Sequence, residues 1–376
     1  MRYRFGIDQG MFLVMDFRKT RLMICVAILP ILLIAIFVST GLWAKGERPE
    51  TRNAEMISLG ERLFFDASLS SDGQTRCAAC HQPEHAFADS RATARGAFGR
   101  IGTRNTPSLL ALTDEAPLFW DGRRSTLEAA SFDPLIHPRE MGHSDENEII
   151  AALSSPSYRA AFARAFGTGS AGAPGRETVS RALSAYIRNL PRPPVPFDRY
   201  VEDKNPSSLS REAREGFRLF TGKAGCDSCH KLSGKPVQFT DHTFHPTGTG
   251  LQTLDGQLPL LAKDVVTGST DPGAIGRLIA ERPDLAATGR FSVTHEPSDL
   301  GLFRTPSLRY VADTAPYMHD GSVPTLEAAV DQEIYWRSLS SGHPISLTVS
   351  ERASLIAFLQ SISLNTGEAP PSKSPD

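Results

Sequence analysis

Cysteine is scarce, with five residues in 376. That is too few for a disulfide scaffold in a chain of this length. A basic excess is also missing: 40 Lys and Arg stand against 42 Asp and Glu, for a formal net charge of -2. Nucleic acid is therefore excluded as a partner class. Long apolar runs are absent except for one near the N-terminus, so the chain is not a multi-span membrane protein. Strand-like alternation is rare. With 40% hydrophobic and 22% charged residues, the composition is that of an ordinary globular chain, not a disordered or collagenous one. The length fits two domains of about 150 residues each.

The single apolar run, Leu22 to Ala44, holds 23 residues without a charge and follows Arg18, Lys19 and Arg21. About 20 apolar residues cross a bilayer as a helix. The preceding positive charges favour keeping that end in the cytoplasm and exporting the rest. The run is longer than the usual signal-peptide core of about 7–15 residues, and Leu42-Trp43-Ala44 is a mediocre cleavage site. Residues 1–50 are thus expected to be an apolar helix serving as membrane anchor or cleaved export signal. Any membrane contact is expected through residues 22–44 alone, with the remainder in the periplasm.

Four of the five cysteines fall in two short motifs, Cys77-Ala78-Ala79-Cys80-His81 and Cys226-Asp227-Ser228-Cys229-His230. C-x-x-C-H is the attachment pattern of c-type haem. Two thiols about one helical turn apart can add to the two vinyl groups of one haem, and the following His reaches the iron from the same side. A redox pair does not require the His, and a zinc site needs further paired ligands at matching spacing. Chance would supply one such motif about 0.002 times in this composition. Two copies therefore predict two covalently bound c-type haems, held by Cys77, Cys80 and His81 and by Cys226, Cys229 and His230.

The chain also repeats itself. Thr106 to Ala130 aligns without a gap to Thr305 to Ala329, with 14 of 25 pairs identical. The offset is 199 there but only 149 between the haem motifs, so the second half carries about 50 extra residues before its repeated block. Trp120 stands opposite His319, which implies different tasks for the two halves. Apolar spacing predicts helices over 57–65, 148–166, 177–190, 210–220, 325–335 and 350–362. Pro191 to Pro196 interrupts helix formation and marks the boundary. The expected fold is all-α: two cytochrome c-like haem domains with long connecting loops, over 51–195 and 196–365, followed by a disordered tail over 366–376.

With these motifs in place, residues 55–363 resemble the bacterial di-haem cytochrome c peroxidases and their relative MauG. Further marks are Arg104-Asn105-Thr106-Pro107-Ser108, Phe119-Trp120-Asp121-Gly122-Arg123, Pro138-Arg139-Glu140-Met141, Phe239-Thr240-Asp241 and Ala315-Pro316-Tyr317-Met318-His319-Asp320-Gly321. The resemblance implies that His81 is the proximal ligand of the peroxide-reacting haem and Glu140 its distal acid and base. It makes Trp120 an electron relay between the haems and His230 a ligand of the electron-donating haem. It further implies one Ca²⁺ between the domains, held by Asn105 and the carbonyls of Thr314 and Pro316, all oxygen donors.

The sequence departs from the family pattern in three places. Many members close the resting peroxidatic iron with a His sixteen residues after the haem His, where this chain has Ala97. His85, His137 and His143 are nearby, but none stands at that position. A Gln kept by some members aligns with Ala130. Peroxidases give the second haem a Met ligand and MauG a Tyr, fourteen residues after the position of His319, where Glu333 stands here. A two-residue insertion around Gln332-Glu333 would bring Tyr335 to that place, so Tyr335 is the favoured ligand, with Glu333 and Met318 as alternatives.

The implied activity is reduction of hydrogen peroxide to water at the N-terminal haem. A small cytochrome c or copper protein would supply electrons through the C-terminal haem. The alternative is a MauG-like oxidase that uses peroxide to oxidise Tyr or Trp residues of a protein substrate. A non-enzymatic electron carrier would explain two haems but leave Glu140 without a purpose.

Overall fold

In the computed structural model, residues 49–112, 117–254 and 256–364 are described. The N-terminal apolar run and the tail after 365 lie outside them. Among the described residues no helix is long and apolar enough to cross a membrane.

Helices and long loops dominate. One two-stranded antiparallel pair, β1 (Phe244–Pro246) with β2 (Leu302–Arg304), is the only sheet among the described residues. The first helix, α1 (Pro49–Phe65), starts earlier than its apolar spacing predicts. A short α2 (Leu127–Phe132) follows the first repeated block. The stretch 148–166 is two helices, not one: α3 (Glu146–Ala152) and α4 (Pro156–Phe166). Pro156 cannot donate a hydrogen bond back into α3 and takes a first-turn position instead, while Ser155 caps the new helix by accepting from the Tyr158 N–H. Next come α5 (Arg176–Arg188), α6 (Pro196–Glu202) and α7 (Arg211–Thr221). The chain closes with α12 (Leu326–Ser341) and α13 (Val349–Ser361), the latter opened by a Thr348 and Glu351 capping box.

Each half crosses two helices at a glycine. A Cβ on Gly60 of α1 would lie 1.9 Å from the Ala182 carbonyl of α5, and one on Gly216 of α7 the same distance from the Ser354 carbonyl of α13. Only glycine lets these backbones approach so closely. Buried apolar side chains from both halves, from Leu59 to Ile362, join in one core. Phe197, Phe217, Phe220 and Phe358 meet there at centroid distances of 5.0–5.5 Å, the tilted and edge-on packing that aromatic rings favour. From Glu50 onward the described residues form one compact unit.

The extra residues of the second half leave the fold between β1 and β2. They form α8 (Leu258–Val266), α9 (Pro272–Glu281), α10 (Pro283–Ala287) and α11 (Phe291–Thr294). This excursion has a small core of its own, including Leu261, Ile275, Ile279 and Phe291.

Candidate di-haem site

The two haem motifs adopt the same local structure. Cys77–Ala79 and Cys226–Ser228 are single 3₁₀ turns, and the His81 and His230 N–H groups bond back to the Cys77 and Cys226 carbonyls at 2.9 and 3.0 Å. Each motif therefore presents two thiols and an imidazole together. His81 Nδ1 donates to the Phe87 carbonyl at 3.0 Å, and His230 Nδ1 donates to the Phe239 carbonyl at 3.0 Å. That bond fixes the tautomer and leaves Nε2 as the free, metal-binding nitrogen. Both phenylalanines hold left-handed backbone angles, φ 57° and 55°, which a non-glycine residue adopts only where its surroundings enforce it. Ser108 and Ser307 supply part of that enforcement: their hydroxyls donate to the carbonyls just before the two phenylalanines, Ala86 and Gln238, at 2.5 Å. These serines belong to the repeated Thr-Pro-Ser-Leu. The repeat itself was the signal, because it sits away from the haem motifs and still recurs with each.

Burial pushes the thiols of Cys77, Cys80 and Cys226 up to about 12 and holds them neutral, unlike the lowered thiols of redox pairs and the thiolates of zinc sites. Burial also pushes His81 down, and His230 down to about 4, which keeps both imidazoles neutral as iron ligands must be.

A cavity of about 450 Å³ opens at the second motif, within the range of cofactor sites. Cys226, Cys229 and His230 line it together with Met318, Glu333 and Arg337. Several buried polar atoms around it have no hydrogen-bond partner: both ring nitrogens of His319 and the Arg337 Nε, with all three guanidinium nitrogens of Arg104 nearby, close enough for its charge to push His319 down further than burial alone does. Orphaned donors and cations of this kind fit a group that is apolar in its body and carries carboxylates, as haem does.

Tyr335 is not in that wall. Its side chain is 58% exposed, whereas Glu333 and Met318 both face the cavity. The helix α12 runs unbroken from Leu326 to Ser341. Two residues along a helix turn a side chain by about 200°, so Glu333 and Tyr335 point to opposite sides. Burial pushes the Glu333 carboxyl up, with Arg337 and His245 pulling the other way. The Glu333 side chain makes no hydrogen bond among the described residues.

The halves meet through a reciprocal pair of backbone bonds. The Asn105 N–H donates to the His319 carbonyl, and the Arg304 N–H, at the equivalent repeat position, donates to the Trp120 carbonyl, both at 2.8 Å. Trp120 Nε1 donates to the Asn105 carbonyl at 2.9 Å. Trp120 and Asn105 come from the first half yet line the second cavity, alongside Thr314 and Pro316. The three oxygen donors Asn105, Thr314 and Pro316 thus all line this cavity.

Around the first motif, Glu140 lies close enough for its charge to push up the Cys77 and Cys80 thiols, after burial itself. Its backbone is locked to the position that departs from the family: the Ala97 N–H donates to the Glu140 carbonyl at 2.6 Å, and Ala97 is fully buried. A Cβ on Gly96 would meet the Arg139 and Glu140 carbonyls at 2.2 and 2.4 Å, so the two loops touch through glycine. The ring nitrogens of His143 are taken by Glu148 Oε2 and the Leu69 carbonyl, and those of His137 by the Gly276 carbonyl and the Arg139 N–H. Neither imidazole has a nitrogen left for iron.

Known proteins place this arrangement. Residues 54–206 match the family described as di-haem cytochrome c peroxidase. The methylamine utilization protein MauG of Methylorubrum extorquens is 34% identical over 314 residues, which span 82% of this chain and 78% of that protein. Cytochrome-c peroxidase IdrP1 of Denitromonas iodatirespirans is 33% identical over 325 residues, 83% of this chain and 82% of the relative. The crystal structure of a MauG-like protein associated with microbial copper homeostasis superposes with a TM-score of 0.66 at 33% identity, covering 82% of this chain and 89% of that one. The chain belongs to the di-haem cytochrome c peroxidase family and is an oxidoreductase with two c-type haems.

Proposed function

We propose that the protein reduces hydrogen peroxide at the haem of its first half, in a site that no second histidine closes. The observation that carries this is Ala97, buried and bonded to the Glu140 carbonyl, at the sequence position where many family members carry the closing His. Bound haem supplies one-electron redox chemistry at iron. The protein supplies the rest. His81 Nδ1–H, bonded to the Phe87 carbonyl, fixes the imidazole and leaves Nε2 as the nitrogen that would hold the haem iron. Glu140 takes the proton from one peroxide oxygen and returns it to the other, which makes water the leaving group. Electrons come from a small cytochrome c or copper protein through the second haem and pass Trp120.

Glu333, in place of Tyr335, would hold the iron of the second haem together with His230 in this account. An anionic oxygen ligand lowers the potential relative to Met. Glu333→Gln is expected to change the low-spin electron paramagnetic resonance signal of that haem, whereas Tyr335→Phe leaves it alone; the opposite pattern restores Tyr335. Asn105, Thr314 and Pro316 hold one Ca²⁺, with water completing the shell. The halves 51–195 and 196–365 act as the two haem domains. The protein works in the periplasm, where c-type haem is attached, and residues 22–44 provide any tether to the membrane.

Ala97 and the similarity to MauG also favour a second reading, oxidation of Tyr or Trp residues on a partner protein. Steady-state assay with reduced cytochrome c separates the two. Sustained peroxide-dependent oxidation of the cytochrome supports the peroxidase. A single turnover, together with a newly modified aromatic on a co-purified protein, supports the oxidase.

A further inference from the structure

A second imidazole stands beside Glu140. His137 is buried, 6% exposed, and its Nδ1 lies 3.7 Å from Glu140 Oε1. Its Nε2 is 3.2 Å from the Gly276 carbonyl, which can only accept, so Nε2 carries the hydrogen. Nδ1 accepts from the Arg139 N–H at 3.2 Å. The neutral ring is therefore held with its lone pair on the Glu140 side.

The clamp comes from the excursion. Gly276 lies on α9, and Thr103 of the first half donates to the Ile279 carbonyl of the same helix at 2.8 Å. The charged groups around His137 come from three elements. Its own loop brings Asp133 and Glu140, the turn after Trp120 brings Arg123 and Arg124, and α9 brings Arg277. Arg124 pairs with Asp133 at 2.6 Å and Arg123 with Asp121 at 2.9 Å. That leaves Glu140, Arg277 and the imidazole around a cavity of about 10 Å³, roughly the room one water needs.

We propose that His137 is a positioning residue that stores a proton for Glu140 and delivers it at Oε1. This rests on the role of Glu140 proposed above. Reducing one peroxide to two waters consumes two protons and two electrons. The electrons come from the donor protein, and Glu140 only moves peroxide's own proton between oxygens. Two further protons must arrive, and imidazole exchanges protons near neutral pH. Protonated at Nδ1, His137 turns from the Arg139 N–H to Glu140 Oε1, and a 3.7 Å separation closes to a hydrogen bond with a small shift. The proton passes from Nδ1 to Oε1 and on to the second peroxide oxygen, which leaves as water only after gaining two protons and the two donor electrons. The imidazolium becomes imidazole, the carboxylate is restored, and the water-sized cavity reloads the ring.

The test uses the oxidised holoprotein and its His137→Gln and Glu140→Gln variants. Gln at 137 keeps an N–H for the Gly276 carbonyl but carries no proton. The probe is cyanide, which must shed a proton to bind, followed in the Soret band from pH 5 to 9 beside kcat/KM for peroxide. Expected are two inflections in the binding rate of the parent protein and one in His137→Gln, at an unchanged melting temperature, with kcat/KM at least about tenfold lower. A His137→Gln curve of the parent's shape, at the same height or uniformly scaled, overturns the proposal and leaves His137 a structural clamp. A Glu140→Gln variant that binds and turns over like the parent overturns the role of Glu140 as well.

Discussion

Two carboxylates illustrate how burial and partners divide the work among single residues. Glu140 is the group to which the chemistry is assigned. Glu140→Gln keeps its shape and loses its base, so kcat/KM for peroxide should fall by about 10²–10⁴ while the haem absorption spectrum is unchanged; stopped-flow mixing with peroxide measures it. Asp313 has no catalytic task. Burial pushes its carboxyl up to about 6, only partly offset by the hydrogen bond it accepts from the Leu364 N–H. The folded protein then holds this proton more tightly than the unfolded chain, so stability falls as pH rises from about 4 to about 6, and the full penalty is present at neutral pH. Asp313→Asn keeps the acceptor and removes the charge. It should gain about 1–3 kcal/mol at pH 7 and nothing at pH 4, read from thermal unfolding at both values.

Elements carry the geometry between those residues. The crossing of α7 and α13 depends on Gly216, and Gly216→Ala should cost about 1–3 kcal/mol, because a Cβ 1.9 Å from the Ser354 carbonyl forces the helices apart. The link after the proline-rich segment depends on Arg309 and Asp198, a buried pair joined by two bonds of 2.8 Å. Arg309→Ala leaves the buried Asp198 carboxylate without its countercharge, with only the Val195 N–H still donating to it, and should cost about 3–5 kcal/mol in denaturant unfolding. Apolar spacing marks α5, α7 and α13 to within two residues, while α2, α6 and the four helices of the excursion are absent from the helices it predicts. The break at Pro156 was present as Ser-Ser-Pro but was outweighed by apolar spacing that continues through it. Tyr335 is a different case. Its assignment required an insertion, and a helix hides insertions in sequence while showing at once in space which side chain faces the cavity.

At the scale of the whole molecule, the repeat becomes architecture. Equivalent serines of the two Thr-Pro-Ser-Leu blocks brace the loops whose Phe87 and Phe239 carbonyls bond His81 and His230, and the chain just before each block exchanges backbone bonds at Asn105 and Arg304. The two haem-attachment motifs could be named from sequence because covalent attachment constrains their spacing, whereas Glu140 and Trp120 are singled out only through the resemblance to the family. The packing of the excursion against His137 could not, because a hydrogen bond between residues 139 apart leaves no local trace. Trp120 lies where both halves meet. Trp120→Phe should leave the reaction of the oxidised protein with peroxide intact and slow turnover with a reduced donor, a split that rapid-mixing and steady-state rates resolve together.

The most direct test of the open first site is stopped-flow mixing of the fully oxidised holoprotein with peroxide, without any donor, followed in the Soret and near-infrared. The account predicts an immediate spectral change, because Ala97 leaves nothing to displace. Silence until one haem has been pre-reduced would contradict it, and would mean that another group closes the site that His137 and His143 cannot reach.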